Sequence, residues 1–420
     1  MRLADAFQIV VPAERGVGFR AYDGSTAGPA NADVTLEIRS PRAVQYLASA
    51  PSQLGLARAY VSGDLEIIGD AYTALSRLYP ISWDHIGWSD RLRLARQFAP
   101  KAVHRPAPPP QERTLSGRRH SKHRDADAIH HHYDVSNRFY SWVLGPSMAY
   151  TCAVFPSADA SLETAQEEKF DLVCRKLGLE PGMRLLDVGC GWGGMVMHAV
   201  KHYGVKAIGV TLSQQQAAYG QESIQQAGLT SQAEIRFSDY RDVAESGFDA
   251  VSSIGLTEHI GRSNYPSYFS FLYGKLRPEG RLLNHTITRP HDDWVSHFRR
   301  SFINRYVFPD GELSGPSQVM TAMNSAGFEI RHEENLREHY ALTLKHWCEN
   351  LEDHWDEAVA EAGLGTARVW RLYMAASRLG FDINMIQLHQ MLGVKLGPGG
   401  TSGMPLRPGF DRAPASAGLA

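Results

Sequence analysis

Residues 184–194 read Arg184-Leu-Leu-Asp-Val-Gly-Cys-Gly-Trp-Gly-Gly194, a short apolar run that ends in a glycine-rich turn. A helical pattern follows, so the segment has the strand, loop and helix order of a nucleotide-binding unit. Gly189 and Gly191 allow the backbone to turn tightly and approach a ligand, and Gly193 or Gly194 allows a helix to pack closely on the strand. The glycine spacing alone also fits dinucleotide enzymes, so it leaves the ligand open.

Two neighbouring features distinguish between the candidate ligands. Asp187 ends the strand, where a carboxylate can hold the ammonium group of a methionine moiety, whereas its charge would repel a dinucleotide pyrophosphate. The next strand ends Ile208-Gly-Val-Thr-Leu-Ser213, without the acidic residue that dinucleotide enzymes place there for the ribose. The sequence therefore predicts that the loop binds S-adenosylmethionine rather than NAD.

Two later segments offer further cofactor contacts. Ser213 and Gln216 have the spacing of a capping box, which predicts the start of a helix and leaves a ribose contact by Gln216 open. Asp239 and Tyr240 follow the third strand, where an acid and an aromatic ring can bracket an adenine. An ordinary polar turn explains that pair equally well.

From about Ala126, apolar runs alternate with helical patterns, which predicts an α/β fold with a mostly parallel sheet. We expect a Rossmann-like class I methyltransferase fold with seven strands. The predicted strands are 184–188, 206–211, 233–238, 248–254, 281–288 and 328–335, with 385–395 as an antiparallel edge strand. The predicted domains are a small N-terminal α+β domain (1–100), a basic proline-rich linker (101–126), the methyltransferase domain (127–397) and a disordered tail (398–420).

Composition excludes several classes of protein. The 420 residues carry a net charge of −2, so the molecule as a whole is not an electrostatic nucleic-acid binder. The four cysteines form no CxxC pair, and no apolar run is long enough to span a bilayer, so we expect a cytoplasmic protein. The seven Lys and Arg residues between Lys101 and Arg124 predict either a solvated spacer or a reversible contact with a membrane surface.

Six separated motifs extend the pattern beyond the glycine turn. They are His132-Tyr-Asp-Val-Ser136, Tyr150-Thr-Cys-Ala153, Leu186-Asp-Val-Gly-Cys-Gly-Trp-Gly193, Gly209-Val-Thr-Leu-Ser-Gln214, Glu258-His-Ile-Gly261 and His339-Tyr-Ala-Leu-Thr-Leu-Lys-His-Trp347. Together they resemble the cyclopropane-fatty-acyl-phospholipid synthase family, which includes the mycolic acid cyclopropane synthases. The resemblance implies methylation of a cis double bond in an unsaturated phospholipid at the membrane surface, and helical insertions that bind the acyl chain. The sequence leaves the oligomeric state open, with a homodimer as one option.

The resemblance also implies roles for individual residues. In the family a bicarbonate ion is the proposed base, and the matching positions here are Cys152, Glu258, His285, Tyr340 and the backbone of Ile287. By motif position, the cofactor contacts would include Tyr150, Thr151, Thr211, Leu212 and Ile254. His130, His131 and His132 are adjacent, so they do not share the one-sided geometry of a metal site, and we expect no metal.

Two further features of the sequence concern the acyl substrate and the reaction product. The segment from Trp294 to Arg305 combines spaced aromatics with arginines, which fits an acyl tunnel, a bilayer contact or ordinary helix core. Thr257 stands where family members commonly carry an aromatic residue, and losing an aromatic face would change how a carbocation is resolved.

Within the family, the chain most resembles the actinobacterial methyltransferases of tuberculostearic acid synthesis, which implies a 10-methylene product and a separate partner reductase. Three alternatives stay open: a cyclopropane synthase on the same acceptor, a methyltransferase of a soluble small molecule, and a lipid-binding module without chemistry.

Overall fold

A computed structural model of the chain describes residues 1–50, 53–80, 84, 86–103, 105–113, 135–292 and 301–411. In chain order the helices are α1 (Leu3–Val10), α2 (Pro41–Ser49), α3 (Gln53–Val61), α4 (Ala71–Leu78), α5 (Trp88–Val103), α6 (Asn137–Leu144), α7 (Leu162–Leu177), α8 (Gly194–Tyr203), α9 (Gln214–Gln226), α10 (Thr257–Ile260), α11 (Tyr265–Lys275), α12 (Phe302–Tyr306), α13 (Pro316–Ser325), α14 (Arg337–Asp353), α15 (Trp355–Ala362) and α16 (Leu364–Asp382). The strands are β1 (Gly18–Ala21), β2 (Thr26–Ala27), β3 (Thr35–Ile38), β4 (Leu65–Ile68), β5 (Arg184–Val188), β6 (Lys206–Thr211), β7 (Ala233–Phe237), β8 (Phe248–Ile254), β9 (Leu276–Thr288), β10 (Phe328–Asn335) and β11 (Gln387–Lys395).

The chain forms two compact units whose boundaries differ from the predicted domains. The first unit contains residues 1–116, 295–309 and 347–383, and the second contains 117–294, 310–346 and 384–420. The sequence assigned the segment 347–383 to the methyltransferase domain. The structure groups this segment with the N-terminal residues because it packs on them, as in the partly buried ion pair between Arg368 and Glu66.

The first unit is built on a four-stranded sheet in the order β2-β1-β3-β4. Strand β1 runs parallel to β3, and the other two pairings are antiparallel. Residues 105–113 of the predicted linker are also part of the first unit. Tyr46 Oη donates to the Ala107 carbonyl at 2.6 Å, and the Arg58 guanidinium donates twice to the Glu112 carboxylate. Residues 105–113 therefore pack on the unit rather than acting as a solvated spacer, while residues 114–134 lie outside the described ranges.

The second unit confirms the predicted fold class. Its seven strands lie in the order β10-β11-β9-β8-β5-β6-β7, and the five strands β5 to β9 are parallel. The predicted bounds of β5, β6, β8 and β10 agree with the observed ones, and β9 begins five residues earlier than predicted. Leu185 and Leu186 enter hydrophobic clusters on opposite faces of the sheet, as expected for strands covered on both sides.

The prediction for the last strand was half right. Strand β11 is antiparallel to both of its neighbours, but it lies between β9 and β10, and β10 forms the edge of the sheet. All but the first and last of its nine residues are buried, so it has the burial of a central strand. The sequence analysis placed this strand at the edge because it comes last in the chain. The sequence of a strand does not by itself indicate which strands pair with it on either side.

The predicted disordered tail is partly structured. Arg175 Nε donates to the Phe410 carbonyl at 2.6 Å, and the Phe410 ring packs edge-on against His332 with 4.8 Å between centroids. The segment 398–411 is thus anchored on the second unit at Phe410, whose ring and bonded carbonyl compensate for the glycine- and proline-rich composition, while Leu406 is fully exposed. Residues 412–420 lie outside the described ranges. None of the helices in the described residues combines the length and apolarity that a bilayer crossing requires.

Candidate active site

The glycine turn after β5 has one open position and one tightly packed position. Gly191 has φ +55°, and among the described residues no atom lies within 4 Å of the place where a Cβ would stand. Gly193 has φ +88°, and a Cβ there would lie 2.1 Å from Cδ1 of Ile235 on β7. The loop therefore offers backbone for a ligand to approach at Gly191, while Gly193 lets helix α8 start close to the sheet. Gly189 packs beneath the turn, where a Cβ would touch Leu256.

Asp187 is a buried carboxylate at the end of β5. Its side chain is 2% exposed, and Oδ1 accepts a hydrogen bond from Ser252 Oγ at 2.6 Å. Burial raises the pKa of Asp187 to about 6, although the Ser252 bond and the charge of Lys169 act in the opposite direction. A cation bound beside it would favour the ionised form, so the site suits the ammonium group that the sequence analysis assigned to Asp187.

Lys169 is a buried cation that the sequence analysis missed. It lies on α7 at 1% exposure, its Nζ donates to Thr151 Oγ1 at 3.0 Å, and Nζ stands 3.6 Å from the centre of the Phe170 ring. Burial lowers the pKa of Lys169 to about 7, against the opposing effects of Cys152 and Asp187. The helical period of α7 places this lysine on the apolar face of the helix. A charged residue at an apolar position could therefore have predicted a buried lysine from the sequence.

Aromatic contacts bring Tyr150 towards the glycine turn. Trp192, within the turn, donates from Nε1 to Asn137 Oδ1 at 2.8 Å, and its ring lies 4.9 Å from that of Tyr140. The Tyr140 ring in turn lies 5.9 Å from the Tyr150 ring. Thr151 approaches the end of β8, because a Cβ at Gly255 would lie 3.3 Å from Thr151 Cγ2. Ile254, the last residue of β8, is therefore close to this segment.

The end of β6 holds the next group of predicted cofactor contacts. Ser213 Oγ accepts from the Gln216 backbone N–H at 3.3 Å and caps α9, as the capping-box spacing predicted. The Gln216 side chain turns elsewhere, since its Oε1 accepts from Thr211 Oγ1 at 2.8 Å. Within the described part of the chain, Gln216 Nε2 is buried without a hydrogen-bond partner, so it is a donor suited to a ligand. Leu212, which lies between Thr211 and Ser213 in the chain, is half-buried.

Asp239 and Tyr240 have structural partners of their own. The Asp239 carboxylate caps a short turn through the Arg241 backbone and binds the Arg241 guanidinium at 2.5 and 2.7 Å. The Tyr240 ring packs edge-on against Tyr268 and Phe271. Both residues follow β7 beside the end of β6, and the polar-turn interpretation explains the contacts that they make.

Glu258 stands in the short helix α10 that follows β8. The carboxyl group is buried, and its Oε1 accepts from the Ile287 backbone N–H at 2.6 Å. Its other oxygen, Oε2, is buried and has no hydrogen-bond partner among the described residues. Burial raises the pKa of Glu258 to about 7, although the Ile287 bond lowers it. Glu258 can therefore hold or release a proton near neutral pH.

His285 lies on β9 directly opposite Ile254 of β8. The side chain is fully buried, and Nδ1 lies 3.2 Å from Nε2 of Gln390. The other ring nitrogen, Nε2, is buried without a partner in the part of the chain that the structure describes. Burial, together with the charges of Lys169 and Lys176, holds the pKa of His285 well below its ordinary value, so the imidazole is neutral.

Cys152 and Tyr340 join this group through a run of backbone contacts. The buried Cys152 Sγ lies 3.8 Å from the Leu336 carbonyl, which also accepts the Tyr340 backbone N–H at 3.1 Å. The Leu336 N–H donates to the Leu388 carbonyl, and Leu388 pairs with Ile287 across β11 and β9. Burial raises the pKa of the Cys152 thiol, which is therefore protonated.

The contacts bring the buried carboxyl group of Glu258 to the strand that carries the buried, neutral imidazole of His285, and backbone hydrogen bonds lead from there to the segments of Cys152 and Tyr340. Such a site can tolerate a transient charge on an apolar substrate and remove a proton from it. The predicted histidine run at 130–132 and the aromatic positions Trp294 and Phe298 lie outside the described residues. Phe302 is buried, and it belongs to the first unit.

Comparison with known proteins gives consistent matches. Residues 120–391 match the family described as mycolic acid cyclopropane synthetase. A probable fatty acid methyltransferase of Mycobacterium tuberculosis is 57% identical, with 93% of both chains covered. The cyclopropane-fatty-acyl-phospholipid synthase of Escherichia coli is 36% identical over 62% of this chain and 66% of its own. The mycolic acid cyclopropane synthase CmaA1, solved with SAH and CTAB, superimposes with a TM-score of 0.61 at 33% identity, covering 64% of this chain and 98% of its own.

Proposed function

The chain belongs to the mycolic acid cyclopropane synthetase family, and from that premise we propose that it methylates the cis double bond of an unsaturated phospholipid acyl chain. S-adenosylmethionine supplies the methyl group. The observation that carries the proposal is the pair of buried polar atoms, Glu258 Oε2 and His285 Nε2, that have no partner among the described residues. A buried site whose carboxyl oxygen and imidazole nitrogen have no hydrogen-bond partner among the described residues suits a reaction that passes through a carbocation, because these atoms are left to interact with the substrate.

The residues beside the glycine turn fit the methyl donor. Asp187 offers a buried carboxylate for its ammonium group, Gly191 offers backbone with open space beside it, and Gln216 Nε2 offers a buried donor. A relative solved with SAH supports the same assignment. The donor is a cation, so a carboxylate in a poorly solvated site adds affinity that water would otherwise screen.

A second group of residues, Glu258, His285 and Cys152, acts on the acyl chain, where it stabilises positive charge and removes a proton. Attack by the alkene forms a carbon–carbon bond, and the broken carbon–sulfur bond leaves its electron pair on sulfur. The acyl chain then carries a positive charge that the Glu258 carboxylate stabilises. A bicarbonate ion would donate its hydroxyl to Glu258 Oε2 and accept a hydrogen bond from His285 Nε2, and when bound it would serve as a base. The neutral His285 ring and the protonated Cys152 thiol add no competing charge.

We propose a 10-methylene product. After methyl transfer, a hydride shift moves the charge to the methyl-bearing carbon, and loss of a methyl proton gives the exocyclic double bond. Direct loss of that proton with ring closure gives a cyclopropane of the same mass. Thr257, beside Glu258, is fully buried, and its hydroxyl donates to Asn284 Oδ1 at 2.6 Å, so no aromatic face adjoins the carboxyl group at this position. The 57% identical relative is named a probable fatty acid methyltransferase, which supports methylation of an acyl chain.

The experiment is expression in a host that makes oleate but no cyclopropane or branched lipids. We expect a new lipid with exocyclic vinyl proton signals in its NMR spectrum. Cyclopropane proton signals instead would establish the ring-forming alternative on the same acceptor. No new lipid, together with methylation of a soluble acceptor, would overturn the phospholipid proposal. A methylene product would also require a separate flavin or nicotinamide reductase to reach the saturated branched chain.

We further propose that helix α5 holds the enzyme on an anionic bilayer. Trp88 is 86% exposed, Leu92 51% and Val103 79%, and with the exposed Ala95 and Ala99 they follow a spacing of four, three, four and four residues. That spacing forms one apolar stripe along the helix.

The exposed side chains of Arg93 and Arg96 border this stripe, and the basic segment of the sequence begins at Lys101, within the last turn of the helix. The partner that suits an apolar stripe with a cationic border is the interface of an anionic membrane.

Replacement of Trp88 with serine is expected to weaken binding to phosphatidylglycerol vesicles about tenfold, because a large apolar side chain no longer enters the interface. Vesicle cosedimentation measures this change, and raising the ionic strength should weaken the binding of the native protein as well. Leu364→Ser is the matched control, since Leu364 is an exposed leucine on a different helix at 46% exposure. Equal binding by all three proteins would exclude α5 as the membrane contact.

A further inference from the structure

A row of polar side chains crosses three strands of the second unit, with His285 and Gln390 fully buried and Glu334 half-buried. Gln390 on β11 stands directly opposite His285 on β9 and directly opposite Glu334 on β10. Residues that face each other across strands point to the same side of the sheet. Lys176 of helix α7 lies over this row, where its Nζ donates to the Glu334 carboxylate and to Gln390 Oε1, the latter at 2.7 Å. Lys176 and Gln390 are both fully buried.

The donors and acceptors in this row permit only one orientation. A lysine ammonium has donors only, so the Gln390 amide must turn its oxygen towards Lys176. The amide nitrogen then faces His285 Nδ1 at 3.2 Å and donates to it. A neutral imidazole that accepts at Nδ1 carries its proton on Nε2. That nitrogen is the one left buried without a partner among the described residues.

We propose that Lys176 and Gln390 are positioning residues that fix His285 in the Nε2–H tautomer, so that the ring presents a hydrogen-bond donor to the reaction site. The inference builds on the proposed function, because it gives His285 the task of holding an acceptor oxygen there. Glu334 completes the row by pairing the Lys176 ammonium, whose burial would otherwise be costly. The desolvation of the buried Lys176 ammonium costs free energy. We assign that lysine a function, because it orients Gln390, and Gln390 in turn orients the His285 ring.

A purely structural role predicts a different outcome. If Lys176 and Gln390 served only to satisfy each other, a near-isosteric change at Gln390 would alter stability and leave the ring of His285 unaffected. Glutamate at position 390 keeps the acceptor for Lys176 but removes the donor that faces His285. The imidazole would then have to donate from Nδ1, which either moves its proton away from Nε2 or leaves the ring doubly protonated.

The test is ¹⁵N NMR of enzyme labelled at histidine, with the His285 signals identified by their loss in His285→Asn. We expect the native protein to show His285 as the neutral Nε2–H tautomer and Gln390→Glu to show a protonated Nδ1. The substitution should also lower kcat for lipid methylation about 10- to 100-fold, as changes to the hydrogen-bond partner that orients a functional histidine do, with the dissociation constant for S-adenosylmethionine within about twofold.

Gln387→Glu is the matched control, because Gln387 lies on the same strand and its amide contacts Asn384 outside the row. A native His285 signal with the proton on Nδ1 would overturn the inference, and this measurement requires no variant of the row to fold. An unchanged tautomer in a folded Gln390→Glu protein would overturn it too. If the tautomer is as expected but no lipid is methylated, the proposed function fails while the positioning role stands.

Discussion

Replacement of Glu258 with glutamine is expected to lower kcat for lipid methylation on the order of 10²–10³-fold. Glutamine keeps the shape and can still accept the Ile287 N–H through its amide oxygen, so the fold is preserved. It has no negative charge to stabilise the carbocation and cannot take up a proton. Cofactor affinity should stay within about twofold, because the predicted cofactor contacts gather at the glycine turn and the end of β6.

The pH profile gives this prediction a second readout. The raised pKa of Glu258, about 7, means that its ionised form appears only near neutral pH. Activity of the native enzyme should therefore rise through about pH 7, and Glu258→Gln should lack this limb in whatever activity remains. Radiolabelled methyl transfer to oleoyl phospholipid vesicles measures both quantities. Glu168→Gln is the control, because Glu168 forms a partly exposed ion pair with Arg175. Full activity in Glu258→Gln would exclude the carboxylate from the reaction.

The same substitution should stabilise the protein in alkali. A carboxyl group whose pKa is raised on folding binds more protons in the native state, so its contribution to stability is lost as pH rises from the unfolded value towards about 7. Above that pH the native protein bears the cost of a buried charge, which for this shift is roughly 3–4 kcal/mol. Glu258→Gln avoids the cost. Its free energy of unfolding should exceed that of the native protein at pH 8 and approach it near pH 4.

Asp187→Asn is expected to raise the dissociation constant for S-adenosylmethionine roughly 10- to 150-fold, the loss that follows when a hydrogen bond of 1.5–3 kcal/mol to a charged group is removed. Asparagine can still accept from Ser252 through its amide oxygen, so the packing at the end of β5 is preserved. Removing the negative charge leaves Lys169 without its acidic neighbour, which adds to the repulsion of a cationic ligand.

Isothermal titration calorimetry with S-adenosylmethionine measures this loss. Asp171→Asn serves as the control, since Asp171 on α7 pairs with Arg175 and accepts from Tyr203 Oη at 2.7 Å. Its affinity should match that of the native protein. An unchanged dissociation constant in Asp187→Asn would mean that another group binds the ammonium. Absence of any binding heat in the native protein would contradict the use of this cofactor altogether.

The sequence by itself determined the parts of this protein that depend on short stretches of chain. The glycine turn and the strand before it follow from local spacing, because tight turns and buried strands are encoded within a few residues. The start of α9 at Ser213 was also local, since an N-cap residue and its helix are adjacent in the chain. The fold class followed from the alternation of such segments, and the candidate site residues came from motifs.

Only the tertiary structure decided what depends on partners distant in the chain. The inner place of β11, the packing of residues 398–411 and the grouping of residues 347–383 with the N-terminal unit all rest on such contacts. The same holds for Lys169 and Lys176, whose burial is stable because Thr151, Gln390 and Glu334 meet them from other elements. Periodicity reports which face of a helix is buried, but the hydrogen-bond partners of a buried charge are known only once the strands are paired.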